Sequence, residues 1–532
     1  MFTRSVVQLI SVLSISILGT GHTFASIAST QHQHGSYVIL GQSPNNAPTA
    51  LARTVIDTQY QCPSVITMKA GDKSSAINMV PRENPNHFSV LVCEALITFD
   101  EYYGIQFSDK TLALPMATST PEHIQVFGDT GCKLPKASTS QGAKKPSGCA
   151  VGTPAQPFKA LATLGAARSP DVILHMGDVN YRGTSGDVYF SQKDANGNLQ
   201  QVKQWPYDAG DGISQAAHCG QDPGMAFYSQ SAINASRPDI WENWRDDLFI
   251  PAQDLLLAAP WIVARGNHEL CSRAGPGFFY FLDSHSNLIA GDKQLSCPAP
   301  QVNKSALANT QQIPTYQVNF SNINMVVIDS ANACDSFTDS PFQAVYNKVM
   351  KDADNFAARA EQPTWLMTHR PIWAVEGYDP GKSTGCTEQN QYGCINQMLQ
   401  QGIKHLPNKA LNENVKLVLT GHMHQFESVS FGDKRPPALI VGSSGVALSG
   451  STATEKVNVD GLPADVLSLG ERIYRDDAQQ SAFGYLHMSL SHDATWKADL
   501  ISPKNQTIVE CDSAENKTHG VCGLAQGVSL TP

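Results

Sequence analysis

Five short apolar segments of this chain, each typical of a buried strand, run directly into polar residues that can bind a metal ion. One of them follows Trp261–Val263 and reads RGNHE over residues 265–269. The other four are GDTG at 128–131, GDVNY at 177–181, THRP at 368–371 and GHMH at 421–424. Open α/β sheets bind ligands at the carboxyl ends of their strands. The sequence therefore predicts a buried sheet that presents carboxylate, amide and imidazole groups at one edge.

Each segment alone has a simpler explanation as a turn, a cap or a core residue, but five in one order favour a shared site. From about residue 119 onward, apolar strands alternate with segments of helical period. Strands are predicted at 124–127, 172–174, 261–263, 325–328, 365–367, 417–419 and 439–441, and helices near 158–164, 240–248 and 340–356. This alternation is typical of a layered α/β domain.

The length of 532 residues exceeds one ordinary core, so we expect a large domain and a smaller one. Residues 1–25 have the basic start, short apolar run and small-residue end of an export signal peptide. Residues 26–50, rich in Ser, Gln, His and Asn, are predicted to form a flexible linker. Short β-branched runs predict a small β-rich domain of unknown role at 51–118. The main domain is expected at 119–502, followed by a C-terminal tail with a cysteine pair at 503–532.

The charge balance and the length of the apolar runs argue against a nucleic-acid partner and a membrane span, respectively. The chain has 37 basic and 47 acidic residues, a net charge of −10, without a basic stripe, so no nucleic-acid partner is expected. An anionic substrate would need local cations to attract it. No apolar run reaches the roughly 20 residues that span a bilayer as a helix, so no membrane span is predicted. The sequence leaves the oligomeric state open.

Twelve cysteines in a chain with an export signal indicate disulfides, and the absence of a CxxC pair disfavours zinc clusters. Sequence proximity suggests that Cys132 pairs with Cys149, Cys386 with Cys394, and Cys511 with Cys522. The connectivity cannot be deduced from the sequence.

The polar groups at the strand ends suit two metal ions held close together. Such a pair needs a shared carboxylate, with hard oxygen or imidazole donors completing each coordination shell. Asp178 is the natural bridge. His422 and His424 would share a face in an extended segment, whereas a turn could direct one to each metal. Both arrangements remain open at this point.

The motif set resembles the calcineurin-like metallophosphoesterase superfamily and, within it, the purple acid phosphatases, over roughly residues 119–500. In most of the superfamily the first motif is Asp, any residue, His, but this chain has Gly131 at the histidine position. Purple acid phosphatases compensate with a tyrosine three residues after the bridging Asp, where Tyr181 stands. Had residue 131 been histidine, Tyr181 would be better explained as a packing aromatic. The resemblance implies a four-layer sandwich of two mixed β-sheets flanked by helices.

The resemblance also implies two metal sites. The first ion, Fe(III), would be held by Asp129, Asp178, Tyr181 and His424. The second, a divalent ion (Fe, Zn or Mn), would be held by Asp178, Asn267, His369 and His422. A metal-bound hydroxide would then attack phosphorus in line.

Two neighbouring residues are expected to assist catalysis. His268 would protonate the leaving alkoxide or hold a phosphoryl oxygen, and Glu269 would orient a nearby imidazole. Some purple acid phosphatases carry a second imidazole shortly after the ligand matched to His369. This chain has none there, and Tyr378 or Arg370 would occupy that space.

The predicted function is a secreted or periplasmic acid phosphatase that hydrolyses the monoesters of phosphorylated small molecules. One alternative keeps the metals but changes the substrate: a phosphodiesterase, a nucleotide pyrophosphatase or a phospholipid headgroup hydrolase. Another alternative is a non-catalytic binding or adhesion protein on a phosphatase scaffold. That alternative predicts missing ligands, whereas all seven expected ligands are present.

Overall fold

The structure is a computed structural model in which a defined part of the chain can be described. The described residues are 33–68, 75–85, 88–132, 153–181, 188–193, 199–204, 239–271, 273–299, 307–335, 342–375, 396–448, 453–459, 462–470, 473–475, 478–491, 493, 495–514 and 520–530. The predicted signal peptide at 1–25 lies outside these ranges, as do Tyr378, Cys149, Cys386 and Cys394.

The strands are numbered in chain order. They are β1 Gln33–Gln42, β2 Pro48–Asp57, β3 Ser64–Thr67, β4 Ala76–Asn78, β5 Val80–Pro81, β6 Val90–Ile97, β7 Tyr103–Gln106, β8 Thr111–Ala113, β9 His123–Phe127, β10 Val172–His175, β11 Val188–Lys193, β12 Leu199–Gln204, β13 Trp261–Val263, β14 Tyr316–Asn319, β15 Asn324–Val327, β16 Thr364–Met367, β17 Val415–Thr420, β18 Phe426–Phe431, β19 Ala438–Val441, β20 Ala453–Val459, β21 Leu462–Leu469, β22 Ile473–Arg475, β23 Ala478–Gln480, β24 Tyr485–Leu490, β25 Trp496–Ile501, β26 Thr507–Asp512, β27 Cys522–Leu524 and β28 Val528–Ser529.

The helices are fewer and mostly short. They are α1 Phe158–Ala166, α2 Trp241–Trp244, α3 Gln253–Leu256, α4 Gly275–Phe281, α5 Gln343–Arg359 and α6 Gln397–Lys404, with a π-helical turn at Arg245–Phe249 and 3-10 turns at Asn267–Glu269 and Leu307–Asn309. None of the helices in the described ranges combines the length and the hydrophobicity that crossing a bilayer requires.

Two large mixed sheets organise the described residues. The first runs β27-β26-β25-β24-β9-β10-β13-β1-β2-β6-β5, with β9, β10, β13 and β1 parallel to their neighbours in that group. The second runs β14-β15-β16-β17-β19-β18-β21-β20, with β15, β16, β17 and β19 parallel. Smaller sheets are β4-β3-β7-β8, β23-β22-β28 and β11-β12. The predicted α/β fold with two mixed sheets is confirmed.

The alternation of side chains along each strand explains the layers. Trp365 and Met367 on β16 belong to the core between the two sheets, while Leu366 faces the opposite side. That opposite side is covered by α5 and α6, whose buried faces include Tyr346 and Leu399. On the first sheet, Phe127 contacts Phe158 of α1 at a ring-centroid distance of 5.9 Å. Helices therefore flank both sheets, as a four-layer sandwich requires.

Two predicted segment boundaries differ from the structure. The expected linker at 26–50 is wrong from residue 33 onward, because β1 lies inside the first sheet between β13 and β2. The reason is the continuous apolar run Tyr37–Leu40, which is fully buried there. In the expected tail at 503–532, β26 and β27 extend the same sheet, with Cys511 opposite Cys522.

The predicted β-rich segment at 51–118 is divided between two sheets. Its strands β2, β5 and β6 continue the first large sheet, and β3, β4, β7 and β8 form the separate four-stranded sheet. A buried carboxylate, Glu94, joins this segment to the chain beyond the 3-10 turn at Asn267–Glu269. Glu94 accepts hydrogen bonds from Arg53, Arg82 and Ser286. The N-terminal strands are thus bound to the segment that follows RGNHE.

The disulfides only partly match the expected pairs. Cys511 is bonded to Cys522 as predicted, with an S–S distance of 2.03 Å. The structure also contains Cys62–Cys93 and Cys271–Cys297, which sequence proximity did not indicate. Cys132 is disulfide-bonded as well, but its expected partner is outside the described ranges.

Candidate metal centre

Two buried aspartates begin the site at the carboxyl ends of adjacent parallel strands. Asp129 follows β9 and Asp178 follows β10, with φ values of 54° and 55°. His422, after β17 of the second sheet, has a φ of 72°. Left-handed backbone is unfavourable for residues other than glycine and is concentrated at functional sites, where the surrounding structure enforces it. These turns direct polar groups from both sheets toward one another.

The phenol of Tyr181 lies between the two carboxylates. Its Oη is 2.7 Å from Asp129 Oδ1, 2.9 Å from Asp178 Oδ2 and 3.1 Å from His424 Nε2. The side chain is fully buried. Burial raises the pKa of Tyr181 well above its ordinary value, and the two adjacent carboxylates add to this effect. In the absence of a cation the hydroxyl therefore remains protonated and donates to them.

A second group of ligand atoms meets on the other side of Asp178. Donor atoms of Asp178, His369 and His422 all lie within 4.8 Å of one another. His369 Nε2 is 3.0 Å from Asn267 Oδ1 and 3.4 Å from Asp178 Oδ2. The other ring nitrogen of His369, Nδ1, is 2.7 Å from the carbonyl oxygen of Met176, which fixes the ring.

The electrostatics of the two carboxylates differ. Burial raises the pKa of Asp129 well above its ordinary value, opposed by His369 and reinforced by the charge of Asp178. Burial also raises the pKa of Asp178, but His369 and His268 outweigh it and hold that pKa well below its usual range. Burial lowers the pKa of His369, but Asp178 overcomes this and raises it to about 9. Two buried carboxylates this close are stabilised by positive charge, which a cation can provide.

Glu269 holds the backbone of the two loops that carry Asp178 and Asn267. Its Oε1 accepts from the amides of Val179 and Asn180 at 2.8 and 3.1 Å. Its Oε2 accepts from the amides of Asp178 and Gly266 at 2.9 and 3.0 Å. The prediction that Glu269 orients an imidazole is therefore wrong, because its oxygens are occupied by backbone N–H groups.

Position 266 must be glycine because its backbone lies against Asp178 and Glu269. A Cβ there would lie 2.1 Å from Asp178 Oδ1, so no side chain fits. Next along the turn, the backbone N–H of His268 donates to Asp178 Oδ1 at 2.7 Å. The His268 ring lies 4.1 Å from the Tyr181 ring, between centroids. His268 thus borders the same cluster.

Asp335 is a member of the site that the motif analysis did not find. Its Oδ2 pairs with Arg370 Nη1 and lies 3.2 Å from His422 Nε2. Burial raises the pKa of Asp335, but Arg370 and His422 outweigh it and hold that pKa well below its usual range. Asp335 follows no apolar strand directly and belongs to no recognisable motif, so only the fold brings it here.

Contacts connect all nine predicted site residues. Tyr181 contacts Asp129, Asp178 and His424, and Asp178 contacts His268, His369 and the loop held by Glu269. Asn267 and His422 join through His369, whose ring centroid is 5.1 Å from that of His422. The donor set of carboxylates, a phenol, an amide oxygen and imidazoles is one that hard and borderline cations prefer. These residues fit two metal ions.

A buried group of carboxylate, phenol, amide and imidazole ligands at the edges of two sheets is typical of metal-dependent hydrolases. Residues 123–426, more than half of the chain, match the family model described as calcineurin-like phosphoesterase. The chain therefore belongs to the calcineurin-like phosphoesterase family, and the prediction of a metallophosphoesterase is confirmed. No curated protein matches the sequence.

Two solved structures are similar to this chain, with low sequence identity and low TM-scores. The purple acid phosphatase PPD1 isolated from yellow lupin (Lupinus luteus) seeds shares 11% identity, covering 88% of this chain and 72% of that chain, with a TM-score of 0.43. GAP50, the anchor in the inner membrane complex of Plasmodium, shares 12% identity, covering 74% of this chain and 88% of that chain, with a TM-score of 0.33.

Proposed function

We propose that this chain is an exported acid phosphatase of the purple acid phosphatase type, which hydrolyses phosphate monoesters at a pair of metal ions. The observation that carries the proposal is the position of Tyr181 Oη, 2.7 Å from Asp129 Oδ1 and 2.9 Å from Asp178 Oδ2. A phenol placed there can exchange its proton for a trivalent cation, since phenolate is a hard donor that suits Fe(III).

Gly131 supports the same interpretation. A Cβ at this position would lie 2.3 Å from the carbonyl oxygen of Val179 and 2.7 Å from Cδ2 of Tyr181. The histidine that most of the superfamily carries at this position is therefore incompatible with the tyrosine in its present place. The absence of one ligand and the presence of the other are two parts of one local arrangement.

The chain offers a ligand set for each ion. The first would be held by Asp129, Asp178, Tyr181 and His424, and the second by Asp178, Asn267, His369 and His422. When bound, the two ions supply Lewis acidity toward phosphoryl oxygens and lower the pKa of a coordinated water. The chain itself contributes orientation, because the second ring nitrogen of His369 is fixed by Met176. It also excludes solvent, because Asp129, Asp178 and His369 are all buried.

His268 is the proposed proton donor to the leaving oxygen. Its ring lies beside that of Tyr181 at an interplanar angle of 41°, and its Nε2 is 3.9 Å from Asp178 Oδ2, so it borders the proposed metal ligands without being one of them. An imidazole there can protonate an alkoxide as the phosphorus–oxygen bond breaks. Monoesters remain the proposed substrate class, and comparing nitrophenyl phosphate with bis-nitrophenyl phosphate separates them from diesters.

Export is proposed from two features. The first residues resemble a signal peptide, and the described region carries the disulfides Cys62–Cys93, Cys271–Cys297 and Cys511–Cys522. Disulfides form and persist in oxidising compartments.

Metal analysis combined with a visible spectrum tests the proposal. We expect iron in the purified protein and a tyrosinate-to-Fe(III) absorption band that disappears in Tyr181→Phe. Tyr280→Phe is the matched control, because Tyr280 is also a buried tyrosine with a raised pKa but contacts the backbone of β6. A colourless, active enzyme containing only zinc or manganese would contradict the purple acid phosphatase assignment.

A further inference from the structure

A buried arginine borders the second group of ligand atoms. Arg370 Nη1 is 3.0 Å from His422 Nε2, and His422 is part of the cluster with Asp178 and His369. Only 6% of Arg370 is exposed. A chain with a net charge of −10 needs a local cation at any site that receives an anion, and this guanidinium is in that position.

The guanidinium is fixed through one nitrogen. Asp335 pairs with Nη1, the same nitrogen that contacts His422. In addition, the backbone N–H of Arg370 donates to Ser330 Oγ at 2.8 Å, which fixes the base of the side chain. These contacts hold the side chain in place, and the ion pair with Asp335 does not use the Nε–H group.

The Nε–H of Arg370 is a donor that needs an acceptor. It is buried and has no hydrogen-bond partner among the residues that the structure describes. Buried polar groups of native proteins nearly always have a partner, and a ligand at the neighbouring group of Asp178, His369 and His422 can supply the missing acceptor. A phosphoryl group, with several anionic oxygens, matches the planar donor edge of a guanidinium.

Asp335 is itself anchored from the far side. Its Oδ1 accepts from Asn396 Nδ2 at 2.9 Å, and its backbone oxygen accepts from the amide of Gln397 at the same distance. Asn396 also caps α6, since its side chain accepts from the amide of Leu399. The carboxylate thus connects the start of a helix to the guanidinium.

We propose that Arg370 binds the negatively charged phosphoryl group of the substrate, and that Asp335 is a positioning residue that holds Arg370 in place. This inference rests on the proposed phosphatase function and adds a specificity element to it. A guanidinium bound to phosphoryl oxygens favours the dianionic end of a monoester over the monoanionic centre of a diester.

Inorganic phosphate is the probe. Its affinity is measured by titration calorimetry on the purified, metal-loaded protein, and its inhibition constant is measured against nitrophenyl phosphate. In Arg370→Lys, which keeps the charge but loses the planar donor edge, we expect phosphate to bind about tenfold or more weakly. KM should rise by a similar factor with kcat within a few fold, because the contact is made in both the ground and transition states.

Two further variants separate positioning from folding. Asp335→Asn should weaken the binding of phosphate less than Arg370→Lys does, by about threefold to tenfold. Arg53→Lys is the matched control, since Arg53 is also a buried arginine paired with a carboxylate but belongs to β2. Its phosphate affinity should equal that of the wild type.

The outcomes are distinguishable from those of the proposed function. A wild-type protein that binds phosphate without hydrolysing esters refutes the phosphatase function. In that case, a lower phosphate affinity of Arg370→Lys still supports the role of Arg370 in binding phosphate. Phosphate affinity within twofold of the wild type in Arg370→Lys overturns the inference, even in an active enzyme. Loss of metal from Arg370→Lys at saturating metal also overturns it, because Arg370 would then act through His422. A wild type that neither binds phosphate nor hydrolyses esters refutes both.

Discussion

Replacement of Glu269 by glutamine tests the geometry of the centre most directly. Each carboxylate oxygen accepts two backbone N–H groups, with distances between 2.8 and 3.1 Å. Glutamine keeps the shape but places an NH2 group where one of the oxygens was. Whichever way the amide is turned, two backbone donors then face a donor.

The magnitude follows from those two contacts. Leaving a buried donor unsatisfied costs about 1–3 kcal/mol, so Glu269→Gln should lower the free energy of unfolding by about 2–6 kcal/mol. The loops carrying Asp178 and Asn267 lose their common anchor. Loss of an outer contact of this kind typically weakens metal affinity about 10–100-fold.

Denaturant unfolding and metal titration measure the two effects. Glu427→Gln is the matched control: Glu427 is also a buried carboxylate, but two of its donors are the Gln425 amide and the Ser468 hydroxyl, which can reorient. Glu427→Gln should lower the free energy of unfolding by about 1 kcal/mol and leave the metal affinity unchanged. If Glu269→Gln unfolds and binds metal as the wild type does, the proposed anchoring role is wrong.

Three other predictions address catalysis, pH and the N-terminal strands. His268→Ala should lower kcat about 10²-fold or more on alkyl phosphates and much less on nitrophenyl phosphate; equal losses would remove the proton-donor role. Burial raises the pKa of Glu427 from 4.5 to about 7, so the native state binds more protons than the unfolded state between these values. The free energy of unfolding should therefore fall by up to about 3 kcal/mol as the pH rises through this window, and denaturant titrations of Glu427→Gln should show a flatter dependence. An unchanged slope would assign the titration to another group. Glu94→Gln leaves the buried Arg53 and Arg82 poorly paired and should cost about 3–5 kcal/mol in denaturant unfolding, whereas a change below 1 kcal/mol would show that this ion pair is dispensable.

The parts of the centre that could be predicted are those encoded at strand ends. Apolar strands such as Trp261–Val263 have strong local patterns, and a polar residue directly after a buried parallel strand must lie at the sheet edge. Asp129, Asp178 and His422 were found in this way, and each is at a turn with positive φ. Tyr181 follows from the resemblance to purple acid phosphatases, in which a tyrosine at this position accompanies the loss of the histidine that Gly131 replaces.

The parts that could not be predicted depend on contacts between distant segments. Asp335 reaches His422 and Arg370 only because β15 and β16 are neighbours in the second sheet. Glu269 was recognised as an outer residue, but its partners are backbone amides, which carry no side-chain signature in the sequence. For the fold, the polar residues flanking Tyr37–Leu40 obscured a strand that tertiary packing buries completely.

The location of β1 has a consequence for how the molecule assembles. Ile39 of β1 pairs with Trp261 of β13, the strand that leads into Asn267. β1 pairs with its sequence neighbour β2 on one side, but its pairing with β13 joins distant parts of the chain, and such distant closures are slow. Truncation at residue 50 would expose one edge of β13, so the turn bearing Asn267 would be supported only from the β10 side. β1 therefore closes one side of the strand that leads to Asn267.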